Sequence, residues 1–496
     1  MPKLRTKRKY AQIRRHRYKT KVRRNSIKRK KSGRKKHTKK YNKRQKMRGG
    51  NIADKATLLE QQLANPSQRQ ANMLNAVCGQ NTFGNCLDFG EYTESINNYF
   101  NQFSDFSLVS SIKRIGNVSN NGFVRELEYM KNSFRSYTAL KFSAKKNTDN
   151  LFYEYYVGKH FINYYTSIFP CFVNTYNAYI APPDSWEFFK NIQSPTNDIS
   201  HLERLALIPS DENDDYWKES CKQSKYACIM IQHFSNFTSL HEMISRYFDN
   251  IKYEFCNLLY QVYFVLAILR DTYTHYDLHA NNVFLYKPYA GQQFIQMYYH
   301  SLDGTIISFP SEYIVKIIDY GRNYIRLPNS TRDTNEIVHK ICALSECNTD
   351  STYVDEDGDA VGETDCGDEF GYSILSGNLR YGYHITPTKP NCSHDLLFAR
   401  MIMDDEPALV GLNINYKTDV RGKTNFGTPA RPTNTFIPGQ HPPSPVSNVT
   451  DMRNALAERC PKWNNQKIHQ KYDSSWKMAA EMHIYEDKRP YTYIVK

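Results

Sequence analysis

His275-Tyr276-Asp277-Leu278-His279-Ala280-Asn281-Asn282, followed further along by Asp319-Tyr320-Gly321, is the stretch on which the reading of this 496-residue chain turns. It comes after the apolar segment Leu258 to Leu269 and before Val283-Phe284-Leu285-Tyr286, an order that predicts helix, loop and strand. A loop held between rigid elements is where reactive groups belong. Within it Asp277 is a carboxylate able to accept a hydrogen bond from a hydroxyl. Asn282 and Asp319 are hard oxygen ligands of the type magnesium prefers. Phosphoryl transfer requires these parts: a group that orients the acceptor, oxygens that hold a metal on phosphates, and charge that offsets what develops.

The run resembles the catalytic loop H-R-D-L-x-x-x-N of protein kinases, and Asp319-Tyr320-Gly321 resembles their D-F-G element. The resemblance extends upstream in the same order. Ala139-Leu140-Lys141 lies in the apolar stretch Tyr137 to Phe142, which reads as a strand and resembles V-A-I-K. This implies that Lys141 holds the α- and β-phosphates of a nucleotide. Glu154 lies in Leu151 to Gly158, which has helical apolar spacing and no Pro, and would be the helix partner that orients Lys141. Ile115-Gly116-Asn117-Val118-Ser119-Asn120-Asn121-Gly122-Phe123-Val124 resembles the strand, turn and strand over the phosphates. Its turn is one residue longer than G-x-G-x-x-G-x-V, and Ser119 stands near the middle glycine's place; Gly116 and Gly122 would border the nucleotide. By the same resemblance Val124, Ala139 and Phe284 sandwich adenine, and Gln232-His233-Phe234, after the strand Ala227 to Ile231, form the hinge that faces it.

Several positions depart from the pattern. Tyr276 replaces the usual Arg, so the loop lacks the cation that clasps a phosphorylated activation segment. His279 stands where protein kinases usually carry Lys, and a neutral imidazole offers no fixed charge to a γ-phosphate, although a nearby phosphate would favour the charged ring. The interval from Asn282 to Asp319 is longer than a hairpin, so Lys287 to Ser311 must hold an insertion. Asn391-Cys392-Ser393-His394-Asp395-Leu396 resembles the start of the kinase helix whose Asp ties down the catalytic loop, a role implied for Asp395. Together with Tyr313 to Arg322, these features resemble the serine/threonine kinases of nucleocytoplasmic large DNA viruses, from about Ser107 to the C terminus.

That resemblance implies an α+β, two-lobed protein kinase-like fold, use of ATP and Mg, and a protein substrate with a Ser/Thr acceptor. His279 joins Asp277, Lys141 and Glu154 as the catalytic set, with Asn282 and Asp319 on the metal. Two rivals share the motifs. A small-molecule kinase would also carry D-x-H-x-x-N, and a catalytically silent scaffold tethered to nucleic acid would bind nucleotide poorly.

Charge is unevenly placed. Residues 1–48 hold 25 of the 66 Lys and Arg residues and no acidic one, so the remaining 41 are outnumbered by 50 Asp and Glu. Such a self-repelling segment with little apolar to bury is expected to be a disordered basic N-terminal tail. Nucleic acid is its favoured partner, because neutralising many phosphates releases counterions. An import receptor, an anionic membrane face or a purely solubilising role are the alternatives. The expected location is intracellular: host nucleus, viral factory or virion.

The expected domains are the tail, a Gln/Asn-rich linker at 49–105, a smaller lobe at 106–234 with a surface insertion at 181–224, and a larger lobe at 235–496. Residues 346–369 carry ten acidic residues and no basic one, an acidic insertion. Asp355, Asp357 and Asp359 resemble an EF-hand opening, but Ala360 and Cys366 replace its turn Gly and terminal Glu, which argues against calcium. Eleven Cys without paired spacing suggest reduced thiols. The N terminus shows no apolar signal core, and Leu258 to Leu269 is too short to span a bilayer. Oligomeric state has no sequence signal.

Overall fold

The computed structural model describes residues 66–79, 85–86, 90–116, 122–144, 150–208, 224–334, 336, 390–402 and 446–496, with four short strand segments between 353 and 382. All of these belong to the second of two units, Asn65–Lys496. The basic tail, the turn 117–121 and most of 346–369 lie outside the described residues.

The architecture is mixed α/β. β1 (Val109–Ile115), β2 (Gly122–Lys131), β3 (Phe134–Ser143), β4 (Thr175–Ile180), β5 (Ala206–Leu207) and β6 (Ala227–His233) form an antiparallel sheet in the order β1-β2-β3-β6-β4-β5. Alternation builds it: Phe123, Arg125, Leu127 and Tyr129 of β2 are all buried on one face. Strand β3, flanked by β2 and β6, is buried through its middle, and Lys141 interrupts that burial with a half-buried side chain.

Four helices accompany this sheet: α1 (Pro66–Val77), α2 (Thr93–Tyr99), α3 (Asn150–Val157) and α4 (Pro183–Asn191). Helix α3 packs on β4 and β6 and runs into a π turn, Gly158–Ile162. A Cβ at Gly158 would lie 2.1 Å from Thr175 Oγ1, so the close helix–strand approach needs glycine there.

Two expected boundaries shift. The linker expected at 49–105 is partly built into the fold, because Ile96, Tyr99, Phe100 and Phe103 recur at helical spacing and are all buried. Tyr129 Oη seals that contact by donating to the Phe103 carbonyl at 2.8 Å. The insertion expected at 181–224 is likewise not wholly superficial. Its helix α4 buries Trp186 and Phe189, and Trp186 Nε1 donates to the Ser143 carbonyl at 2.9 Å. Pro182-Pro183 starts that helix, a position where the missing N–H costs nothing.

The rest comprises β7 (Phe237–Ser239), α5 (Leu240–Arg246), α6 (Phe255–Leu269), β8 (Tyr273–Thr274), β9 (Val283–Tyr286), β10 (Gln293–His300), β11 (Ile306–Ser311), β12 (Ile314–Ile317), β13 (Tyr324–Ile325), α7 (Leu396–Ile402), α8 (Val449–Lys467), β14 (Lys477–Tyr485) and β15 (Thr492–Val495). Helix α6 is apolar on all sides but for Asn257 and Gln261 and is buried along nearly its whole length, as such a helix must be. Helix α8 lies against it, joined by reciprocal Asn257–Asn464 amide bonds of 3.0 Å. The insertion between Asn282 and Asp319 is the β10–β11 hairpin, and β10 pairs in parallel with β14 from the C-terminal end.

The cysteines depart from the all-reduced expectation. Cys78 pairs with Cys86, and Cys256 of α6 pairs with Cys460 of α8, 204 positions apart, a distance at which spacing carries no signal. Among the described residues no helix is long and apolar enough to cross a membrane.

Candidate active site

Lys141 is placed by β3, whose register sets it opposite Val124 of β2 and Ile229 of β6. Its Nζ lies 2.6 Å from Glu154 Oε2 on α3 and 3.0 Å from Asp319 Oδ1, which follows β12. One ammonium thus ties together a strand, a helix and a loop.

The loop after β8 is held from beneath. Asp395, just before α7, accepts from the backbone N–H groups of His275 at 2.9 Å and Tyr276 at 3.0 Å. Tyr276 needs that support: its φ is 61°, a left-handed conformation costly for a bulky residue. Its ring is buried edge-on against His394, with centroids 4.7 Å apart. His275 joins the two halves of the site, its Nε2 lying 3.0 Å from the Ile318 carbonyl. Asn282 Nδ2 donates to the Asp277 carbonyl at 2.9 Å, which uses the donor end of the amide and leaves its oxygen for a cation. Asp319 has φ 68°, so both loops carry left-handed backbone; such strain persists only where surroundings over-determine it.

Electrostatics follow from this packing. Burial opposes the charge on Lys141, but Asp319 and Glu154 outweigh it and raise its pKa. Burial raises Glu154 despite Lys141, whereas the same lysine overcomes burial at Asp319 and holds that carboxyl low. His279 Nε2 lies 3.7 Å from Asp277 Oδ1. Burial, with the charges of His275 and Arg322, pushes the His279 ring down to about 4, which favours the neutral imidazole near pH 7.

Lys141, Glu154, Asp277, His279, Asn282 and Asp319 therefore lie along one continuous set of contacts. Val124 lies on β2 opposite Lys141, and Ala139 lies on β3 with Lys141 and opposite Ile231. Phe284, two residues past Asn282, stacks on Phe237 at 4.2 Å. Gly116 has φ 63°, and a Cβ at Gly122 would fall 2.0 Å from the Phe142 carbonyl oxygen, so the ends of the undescribed turn require glycine.

The expected hinge differs in detail. Gln232 and His233 are the last residues of β6, not a connection. Gln232 Oε1 accepts from Asn174 N at 3.1 Å and is buried, so its side chain is committed to packing. His233 Nε2 lies 2.8 Å from Glu126 Oε2, and the Phe234 ring is buried against Tyr286 at 4.2 Å.

Sequence reasoning assigned no role to Arg322. Its Nη1 lies 3.4 Å from Asp277 Oδ1, and its side chain is only 12% exposed. The available signal is position: Arg322 directly follows Asp319-Tyr320-Gly321. Among the described residues no three His, Cys, Asp or Glu side chains gather as a metal centre, so any cation here would rely on the Asn282–Asp319 pair and on ligands brought in with it. Compared with described protein families and with curated proteins, the chain matches none.

Proposed function

We propose that this chain is an ATP- and magnesium-dependent phosphotransferase with a two-lobed, kinase-like fold, acting on Ser/Thr hydroxyls of protein in the manner of the large DNA virus kinases it resembles. The observation that carries the reading is Lys141 held between Glu154 at 2.6 Å and Asp319 at 3.0 Å, on three separate elements. A lysine fixed this way can receive phosphate oxygens without searching for a rotamer, and positioning is most of what phosphoryl transfer asks of a protein.

Asp277, fixed through its carbonyl by Asn282 and through its loop by Asp395, orients the acceptor hydroxyl and takes its proton as the oxygen attacks. The donor set fits magnesium: the Asn282 amide oxygen and the Asp319 carboxylate are hard ligands, and Asp319 is 38% exposed and so accessible to a cation. When bound, magnesium supplies charge neutralisation on the phosphates. Val124, Ala139 and Phe284 would cover the adenine ring. The basic residues 1–48 would anchor the enzyme to nucleic acid in the host nucleus, viral factory or virion.

The test uses full-length protein, γ-radiolabelled ATP, magnesium, and basic and acidic protein acceptors, with Asp277→Ala alongside. Label on Ser or Thr that disappears in the variant is the expected result. Label on a metabolite would reassign the acceptor to a small molecule, and no turnover together with poor nucleotide binding would make the chain a silent scaffold.

A further inference from the structure

Transfer of a phosphoryl group moves negative charge onto oxygens next to the base, and a cation already in place there stabilises the transition state without reorganisation. Of the basic side chains that meet these carboxylates, Lys141 is bound to Glu154 and Asp319. His279, beside Asp277, is an imidazole and not a fixed charge. Arg322 is different. Its guanidinium reaches Asp277 Oδ1 at 3.4 Å with a side chain only 12% exposed, so a fixed cation lies directly against the carboxylate that would meet the acceptor. Arginine stays protonated at any working pH, and its planar fork of donors can meet a carboxylate and a phosphoryl oxygen together.

We propose that Arg322 is a catalytic residue that contacts the transferring γ-phosphoryl group, supplying a fixed positive charge beside Asp277. This rests on the phosphotransferase reading. On nucleotide binding the guanidinium engages the terminal phosphate while remaining against Asp277, which keeps base, acceptor and phosphoryl group in one array.

The experiment compares wild type, Arg322→Met, Arg322→Lys and the double variant His279→Lys/Arg322→Met. Magnesium-ATP and magnesium-ADP binding are measured by calorimetry, and turnover by label transfer. Arg322→Met should lower kcat by about 100- to 1000-fold, the scale of losing one preorganised charge donor. Its ATP affinity should fall about tenfold, the equivalent of one charge-assisted contact, while ADP affinity stays within about twofold. The ammonium at position 279 in the double variant should recover at least about tenfold of the lost turnover, since it returns a fixed charge to the same place.

Equal losses of ATP and ADP affinity, or a double variant no faster than Arg322→Met, would overturn the assignment and leave Arg322 as a brace for the loop. If Arg322→Met fails to melt cooperatively, Arg322→Lys carries the question: a retained preference for ATP over ADP supports the contact, and its loss overturns it. A wild-type protein that binds neither nucleotide and transfers nothing overturns the phosphotransferase reading itself. Wild-type transfer that Arg322→Met leaves unchanged overturns only the role of Arg322.

Discussion

Lys141 and Lys471 each sit between two carboxylates, Glu154 and Asp319 for the first, Glu254 and Glu312 for the second. The surroundings differ. Glu254 is fully buried and accepts from Ser311 Oγ at 2.9 Å, Tyr472 Oη at 2.9 Å and the Glu312 backbone N–H at 3.2 Å as well as from Lys471. Glu312 has Lys287 as a second partner, and Lys471 lies over the Tyr313 ring at 5.1 Å. A cavity of about 460 Å³ adjoins this cluster, lined among others by Lys287, Lys471 and Trp476, yet its charges already answer one another. Around Lys141, by contrast, Asp319 is 38% exposed on left-handed backbone, and Asp277 sits on a loop whose Tyr276 is also left-handed. Buried charge beside a cavity is thus not sufficient to mark a site. A carboxylate that is both accessible and on left-handed backbone, as at Asp319, is the better sign.

The largest expected effects fall on the Lys141 side. Asp319→Ala should abolish phosphotransfer while melting remains cooperative, because its half-exposed side chain meets Lys141 and is the proposed magnesium ligand. Asp277→Asn should keep nucleotide binding and lower turnover at least about a hundredfold, the lower range for a positioned base. Turnover near wild type in either variant, measured by label transfer on protein of verified fold, would erase the distinction between the two clusters.

The second expectation concerns Glu254. Glu254→Gln strips charge from a buried partner of Lys471, so it should cost about 3–5 kcal/mol of stability, the range for breaking a buried pair. Denaturant melts read that loss. Specific activity of the folded fraction should be unchanged, and a fall in activity without destabilisation would make this cluster functional after all.

A smaller effect separates the outer sheet from both clusters. His300 Nε2 and His483 Nδ1 are 3.0 Å apart, and burial lowers both pKa values, with His483 adding to the effect on His300. The fold therefore favours the neutral rings. Their contribution to stability is full above the unfolded value of about 6.5 and is lost as pH falls through the lower folded-state values. Replacing both with Gln should flatten stability below about pH 6.5, the unfolded value, relative to wild type. An unchanged slope in thermal melts would show that other groups govern it.

Much of the site was legible because its chemistry is written in short runs. Asp277 and Asn282 are five positions apart on one loop, and the alternation around Lys141 marks a strand. The Ile96, Tyr99, Phe100 and Phe103 spacing was equally visible but was masked by the Gln/Asn-rich composition around it. The β10–β14 pairing was not legible, since its strands come from distant parts of the chain and parallel pairing leaves no local turn signal.

By itself the sequence determined which residue types could do chemistry, which segments alternate or repeat at helical period, and where charge accumulates, because these are local properties of side chains and backbone. Only the tertiary structure decided that Lys141 meets both Glu154 and Asp319, that Arg322 turns onto Asp277, that Gln232 is tied to Asn174, and that Cys256 reaches Cys460. The reason is physical: long-range contacts depend on loop closure and on the packing of faces that no local pattern encodes, and burial then sets which charges persist.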